Sequence, residues 1–103
     1  MAEISSLSNE TVWQKIKYIN PRTGAVIPTI YAVDLAFTLE GNPVTWYPAV
    51  WEVGADASGW YYAKAEIGPG GVVSLAVGLW RIWARLTLPT ETPIYAGEYL
   101  VVY

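Results

Sequence analysis

The sequence predicts an all-β fold, a single β-sandwich of about seven antiparallel strands without a disulfide. Three observations support this prediction. Apolar and polar residues alternate with the two-residue period of a strand, and no long segment has the 3.6-residue period of an amphipathic helix. Turn residues recur about every 8–12 positions. Hydrophobic residues make up 53% of the chain, and there is no cysteine. A closed barrel is the structural alternative.

The sequence divides into a short polar segment and one domain. Residues 1–10 are polar and without a period, so we expect a flexible arm. Residues 11–103 have the length of one domain, and neither a linker nor a repeat divides them. The sequence has no apolar run of about 18 residues and does not begin like a signal peptide. We therefore expect a soluble protein that is made in the cytoplasm.

The first two predicted strands cover residues 11–19 and 31–39. A turn at 21–24 separates them, because its proline presets φ and its glycine accepts a positive φ. The second strand has the cleanest alternation in the chain. Its apolar face consists of Tyr31, Val33, Leu35, Phe37 and Leu39.

The next two predicted strands cover residues 44–53 and 60–67. Pro48 cannot donate a ladder hydrogen bond, which predicts a sheet edge or a bulge at that point. A loop at 54–59 separates these strands, and the Gly-Pro-Gly-Gly turn at 68–71 ends the second of them.

Three further strands complete the prediction, over residues 72–77, 79–88 and 94–103. The first is short and wholly apolar. The second alternates sharply, so Trp80 is predicted to be a core anchor and Trp83 to lie on the opposite face. The last strand is predicted to bend or bulge at its internal glycine, Gly97.

Composition and charge exclude several classes of function. A net charge of −3 and only six Lys and Arg argue against a nucleic-acid partner, which requires a concentrated cationic face. Without His or Cys, the common catalytic triads and zinc sites are impossible. A hydrolase that uses paired carboxylates remains as an alternative. Its candidates, which we expect to be solvated surface charges, are Asp34, Glu52, Asp56 and Glu66. We therefore expect no enzyme, no cofactor, no metal and no membrane partner.

The aromatic residues are the strongest indication of function. Six Trp and eight Tyr lie in 103 residues, and large amphipathic rings suit both cores and binding surfaces. Adjacent aromatic residues in a strand must point to both sides, so some of them should lie outside the core. The predicted interface residues are Trp46, Trp51, Trp60, Tyr61, Tyr62, Arg81, Trp83 and Arg85.

Four segments of the chain share a pattern with a known family. They read VDLAFT at 33–38, DASGWY at 56–61, GLWRIWA at 78–84 and GEYLVVY at 97–103. Over roughly residues 26–103 the chain resembles small immunoglobulin-like proteins of tailed bacteriophages. The resemblance implies a virion protein that decorates the head, joins head to tail or sits on the tail. Assembly would take place in the bacterial cytoplasm, where disulfides are rare, and a chain without cysteine fits this setting.

Two functions follow as expectations. The first is a non-catalytic assembly protein of the virion, which binds neighbouring subunits and itself as a homo-oligomer. The alternative is a carbohydrate-binding module with an exposed Trp and Tyr face.

Overall fold

Strands form almost all of the regular structure. The computed structural model describes residues 2–20, 24–26, 28–43, 45–52, 59–89 and 91–103. Within these residues the strands are β1 Ala2–Ile4, β2 Glu10–Ile16, β3 Tyr18–Asn20, β4 Gly24–Val26, β5 Ala32–Thr38, β6 Tyr47–Pro48, β7 Val50–Trp51, β8 Tyr61–Ile67, β9 Gly78–Thr87 and β10 Ile94–Val102. A single 3₁₀ turn spans Pro28–Ile30. The all-β prediction is confirmed, with ten short strands described where about seven longer ones were expected.

The strands form two sheets and a separate hairpin. The five-stranded sheet has the order β1-β10-β9-β5-β6, and the three-stranded sheet has the order β2-β8-β7. Strands β3 and β4 pair only with each other among the described residues. The pairings are antiparallel except that of β1 with β10, which is parallel.

The two sheets pack face to face on one hydrophobic core. Alternate residues of β2 and β8 are buried, as the two-residue period requires. Strand β2 contacts β9 and β10, and strand β8 contacts β5. The buried core consists of Ile4, Val12, Ile16, Val33, Leu35, Ala63, Ala65, Ile67, Leu75, Ile82, Ala84, Leu86, Leu100 and Val102. This arrangement is that of a β-sandwich.

The start of the chain is a strand and not the flexible arm expected for residues 1–10. Strand β1 lies beside the end of β10, with Ile4 opposite Val102. The backbone N–H of Tyr103 donates to the Ile4 carbonyl at 3.0 Å, and that of Ser6 donates to the Tyr103 carbonyl at 2.6 Å. The Ile4 side chain is 6% exposed. Backbone hydrogen bonds and one buried side chain hold this segment. Neither produces an alternation of apolar and polar residues from which a strand could be predicted.

The strand predicted over residues 72–77 is wrong, because this segment is a loop. Its backbone closes the preceding turn: the N–H of Val72 donates to the Glu66 carbonyl at 2.8 Å, and that of Gly68 donates to the Val73 carbonyl at 2.8 Å. Leu75 is buried, whereas Val72 and Val77 are exposed. Leu75 and Val73 thus pack on the core without joining a sheet.

The strand predicted over residues 44–53 is divided between the sheets. Strand β6 pairs with β5, and strand β7 pairs with β8. Pro48 lies in β6 at the edge of the five-stranded sheet, as predicted from its missing N–H. The chain then crosses to the other sheet at Ala49, whose N–H still donates to the Val33 carbonyl at 3.0 Å.

The predicted bulge in β10 is present. Ala96 lies opposite Trp83 and Tyr99 lies opposite Arg81, so Gly97 and Glu98 together face one residue of β9. The extra residue reverses the alternation of the strand. Tyr95 packs against the core before the bulge, and Tyr99 points to the outside after it.

Two predicted turns lie partly outside the described residues. Of the turn at 21–24, only Gly24 is described, and it pairs with Asn20 across the β3–β4 hairpin. Of the loop at 54–59, only Gly59 is described, with a positive φ of 81°. Among the helical segments that the structure describes, none is long and apolar enough to cross a membrane.

Candidate interaction surface

The outer side of the five-stranded sheet has a cluster of arginine and aromatic side chains. We call it the outer face, and it consists of Asp34, Trp46, Arg81, Trp83, Arg85 and Tyr99. Cross-strand register places these residues in rows. Arg85 of β9 lies opposite Asp34 of β5, and Arg81 lies opposite both Thr38 of β5 and Tyr99 of β10.

Trp83 lies across the neighbouring strand. Its indole N–H donates to the Thr38 hydroxyl at 2.8 Å. Ala36 is the direct cross-strand neighbour of Trp83 and is 0% exposed, although its side chain points to the outer side of the sheet. A small residue on β5 therefore leaves room for the indole, which in turn covers it. The hydrogen bond fixes the orientation of the ring.

Arg81 lies between two aromatic rings. Its guanidinium carbon is 5.7 Å from the Trp83 ring centroid and 5.0 Å from that of Tyr99. The Arg81 Nε–H also donates to the Gly97 carbonyl at 3.2 Å, and that carbonyl belongs to the bulge of β10. The bulge thus supplies both the acceptor and the aromatic neighbour of this guanidinium. Such contacts contribute about 0.5–1 kcal/mol each at exposed sites.

Arg85 forms a second group on the outer face. Its Nη2 and Nε both donate to one Asp34 carboxylate oxygen, at 2.8 Å and 3.2 Å. Its guanidinium carbon is 4.5 Å from the Trp46 ring centroid. Both side chains of the ion pair are partly buried, at 30% and 21% exposure. The ion pair therefore holds the Arg85 guanidinium against the ring of Trp46.

Apolar side chains next to the cluster remain exposed. Leu79 is 48% exposed, Ile94 is 54% exposed and Tyr99 is 43% exposed. The outer face therefore combines fixed aromatic and guanidinium groups with uncovered apolar area. This is the composition that is enriched at protein interfaces.

The outer side of the three-stranded sheet has a different chemistry, based on lysine. The Nζ atoms of Lys15 and Lys17 lie 4.9 Å and 5.0 Å from the Trp60 ring centroid. Glu52 accepts a hydrogen bond from the Trp13 indole at 3.1 Å and forms an ion pair with Lys64 at 3.4 Å. Trp13, which is 50% exposed, was not among the predicted interface residues. The alternation of β2 could have predicted this exposure, because Trp13 lies between Val12 and Gln14, which point to the core.

The structure separates the predicted interface residues into three places. Trp46, Arg81, Trp83 and Arg85 come together on the outer face. Trp60 and Tyr62 belong to the outer side of the three-stranded sheet. Tyr61 pairs with the buried Ile16 and shares the inner side of β8 with Ala63 and Ala65.

Trp51 was predicted as an interface residue, but it packs against the core. Its indole N–H donates to the Tyr31 carbonyl at 2.9 Å. Trp51 has the same parity as Ala49, which also packs against the core, so it points inward beside Ala63, which is fully buried. Trp51 is partly buried and joins the two layers.

Trp80 lies on the core side of β9, as its alternation with Ile82 and Leu86 predicts, but it is only partly buried. Its indole N–H donates to the Ala76 carbonyl at 2.9 Å. Trp80 also forms one wall of a cleft of ≈ 440 Å³ at this end of the sandwich. Phe37 and Tyr47 form another wall, with ring centroids 6.4 Å apart. The polar residues of the cleft include Thr38, Glu40, Asn42, Thr45 and Ser74.

The candidate carboxylates are divided between the two sheets. Asp34 is on the outer face, whereas Glu52 and Glu66 belong to the outer side of the other sheet. Asp56 lies outside the described residues. Among the residues that the structure describes, no three acidic side chains come close enough to hold a metal ion.

Comparison of the chain with protein-family models, curated proteins and solved structures found no match.

Proposed function

We propose that the chain is a non-catalytic structural or assembly protein of a tailed-phage virion and binds neighbouring virion subunits through the outer face. The observation that carries the proposal is the arrangement of Arg81 between Trp83 and Tyr99, beside exposed Leu79. Arginine and large aromatic residues dominate interface hot spots because they bury wide areas and lose little side-chain entropy.

The outer face is organised before any partner binds. The indole of Trp83 bonds to Thr38, and Arg85 bonds to Asp34. Fixed side chains lose less conformational entropy on association, so more of the contact energy remains as affinity. The virion setting of the proposal rests on the resemblance of the chain to small immunoglobulin-like proteins of tailed bacteriophages. Three of the four segments that carry this resemblance, at 33–38, 78–84 and 97–103, include strands of this sheet.

The proposal is tested on particles of the phage that encodes the chain. Mass spectrometry of purified virions is expected to detect the protein, and the purified chain is expected to bind isolated heads or tails in a pull-down. Trp46→Ala and Tyr99→Ala should each weaken binding by tenfold or more, about the loss seen at hot spots. Val50→Ala, an exposed change on the other sheet, is the matched control and should bind normally. Absence from virions, or equal binding by all variants, would refute the proposal.

The aromatic cleft favours carbohydrate binding as a second candidate. Its volume of ≈ 440 Å³ is within the range of small-ligand sites. Its walls include the aromatic rings of Trp80, Phe37 and Tyr47, and such sites are commonly lined by aromatic side chains. Uncharged hydrogen-bonding groups from Asn42, Thr45 and Ser74 line the same cleft. Aromatic faces with nearby hydroxyl and amide groups suit a sugar ring.

A glycan array tests this second candidate. Tyr47→Ala should abolish binding in the cleft, and Trp83→Ala should abolish binding on the outer face, provided that each variant is folded. The two variants therefore locate any glycan site. An array without a single positive glycan excludes this candidate and leaves the virion proposal unaffected.

A further inference from the structure

Arg81 is the arginine of the outer face that has no acidic partner among the described residues. Arg85 lies further along the same strand on the same side of the sheet, and its Nη2 is 2.8 Å from the Asp34 carboxylate. The two arginines of this face thus differ in their charge balance, because Arg85 is neutralised and Arg81 is not.

The other acidic residues in the strands of this sheet do not pair with Arg81. Glu3 belongs to β1, and β10 separates that strand from β9. Glu98 belongs to the bulge of β10 and lines a groove beside β2 together with Val12 and Trp13. The described part of the chain therefore leaves the positive charge of Arg81 without a counter-charge.

Three contacts fix the position of the Arg81 guanidinium. The ring centroids of Trp83 and Tyr99 are 5.7 Å and 5.0 Å from its central carbon, and its Nε–H donates to the Gly97 carbonyl at 3.2 Å. The two Nη nitrogens have no hydrogen-bond acceptor among the described residues. Their N–H bonds form a planar fork that matches the two oxygens of a carboxylate. These donors are thus positioned before any partner binds.

A subunit that covers the outer face also removes Arg81 from water. The exposed apolar area that such a contact would bury includes Leu79 and Tyr99, which are 48% and 43% exposed. Arg81 lies opposite Tyr99 and on the same side of β9 as Leu79, so it is covered with them. A guanidinium that is covered without an anionic partner opposes association strongly. An anionic group at this point of the contact removes that cost.

We propose that the outer face recognises an acidic side chain of a neighbouring virion subunit, an aspartate or glutamate flanked by apolar residues. Its carboxylate accepts hydrogen bonds from both Nη nitrogens of Arg81, and the flanking residues pack on Leu79 and Tyr99. One unpaired guanidinium between two rings fits one carboxylate, whereas a polyanion requires several cations. The inference rests on the proposed function, because it names the chemistry of the partner that binds this face.

A pair of peptides tests the proposal on the purified chain. Acetyl-Leu-Asp-Leu-amide has the carboxylate, and acetyl-Leu-Asn-Leu-amide has nearly the same shape without the charge. In a proton–nitrogen NMR titration, the aspartyl peptide should shift the assigned signals of the Arg81 Nε–H and the Trp83 indole N–H. Its Kd should be at least about fivefold lower than that of the asparaginyl peptide, the upper range for a partly exposed ion pair.

Two variants with the same loss of charge locate the binding site. Arg81→Gln should remove the preference for the aspartyl peptide. Lys64→Gln removes a cation from the other sheet, where Lys64 pairs with Glu52, and should preserve the preference. The dispersion of the backbone amide signals establishes that each variant is folded. The comparison of the two peptides on the unmodified chain remains decisive if Arg81→Gln does not fold.

Several outcomes would overturn the proposal. They include equal binding of the two peptides, binding of neither, and an Arg81→Gln variant that keeps the preference. A shift confined to the indole of Trp60 would assign the aspartyl peptide to Lys15 and Lys17 instead. Outer-face signals that move when the concentration of the chain alone is raised would identify a second copy as the occupant.

The titration contains no virion particle, so its failure is distinguishable from a failure of the proposed function. If isolated heads or tails bind the unmodified chain and Arg81→Gln equally, the virion partner stands and its acidic contact is refuted. If the chain prefers the aspartyl peptide through Arg81 but binds no particle, the recognition of a carboxylate stands and the virion partner is refuted.

Discussion

The side chain of Gln14 hydrogen-bonds the backbone of Glu98 and so connects the two sheets at the bulge of β10. Its Oε1 accepts the Glu98 N–H at 3.2 Å, and its Nε2 donates to the Lys15 carbonyl at 3.1 Å. Gln14 is 5% exposed and is the one buried polar side chain of the described core. It satisfies an N–H that the bulge removes from the ladder.

Gly97→Ala is expected to destabilise the fold, because a methyl group at this position would overlap the Gln14 amide. The expected loss in the free energy of unfolding is about 1–3 kcal/mol, as for other overpacked sites. Urea denaturation measures it. In a Gln14→Ala background the same change should cost less, since the obstructing amide is gone. Equal losses in both backgrounds would contradict the close packing of these residues.

Trp83→Ala is expected to expose Ala36 and to reduce the free energy of unfolding by about 2–3 kcal/mol, the range for losing a large, partly buried aromatic contact. Thr38→Val removes only the hydrogen bond to the indole and should cost about 0.5–1.5 kcal/mol. Leu79→Ala, an exposed change on the same strand and face, serves as the control, with an expected effect within about 0.5 kcal/mol. Chemical denaturation of the three variants gives the ranking. A Trp83→Ala loss no larger than that of Leu79→Ala would mean that the indole does not cover the sheet.

Trp80→Ala tests how far this residue anchors the core. A fully buried indole would contribute about 3–5 kcal/mol, and the partial burial of Trp80 lowers the expected loss to about 2–3 kcal/mol. Trp80→Phe, which keeps an aromatic ring at this position and removes the bond to Ala76, should lose about 1 kcal/mol. Thermal unfolding at one pH compares the variants. A loss below about 1 kcal/mol for the alanine variant would show that the Trp80 ring is mainly exposed to solvent and does not anchor the core.

Tyr95 is expected to reduce the stability of the fold in alkaline solution. Burial, and then the nearby negative charge of Glu91, raise the pKa of its phenol above the ordinary value of 10.0. The unfolded chain therefore loses this proton more readily, so the contribution of Tyr95 is fully present below pH 10 and is lost as pH rises through the folded-state pKa. Urea midpoints measured from pH 8 upward, with Tyr95→Phe as the comparison, test this. The phenylalanine variant should have a shallower decline, and an identical decline would contradict the assignment.

The faces of the central strands were predictable from local sequence. In β5 and β9 each residue is either in the core or outside it according to its parity, so Leu35, Ile82 and Trp83 were placed correctly. The bulge at Gly97 was also predictable, because a glycine inside a strand pattern has few other uses. The partners of these strands, however, depend on contacts between distant segments.

The errors came from backbone bonds that leave no pattern in the side chains. Strand β1 is held mainly by its pairing with β10, and residues 72–77 bond to the preceding turn instead of a sheet. Trp51 was misplaced for a different reason: it has the parity of Ala49, which also packs against the core, and the interface prediction did not follow that alternation. The cluster on the outer face required the register of β5, β9 and β10 together, which single strands do not specify.

The pairing of β1 with β10 also has a consequence for the order of folding during synthesis. Glu3 is synthesised 98 residues before its partner Val101. At translation rates of about 5–20 residues per second, β1 waits roughly 5–20 s for its neighbour. Strand β9 waits far less, because its partners in β10 follow it by only 9 to 24 residues and it already has β5 beside it. The five-stranded sheet is therefore completed only after β10 has been synthesised, which delays the finished outer face until that point.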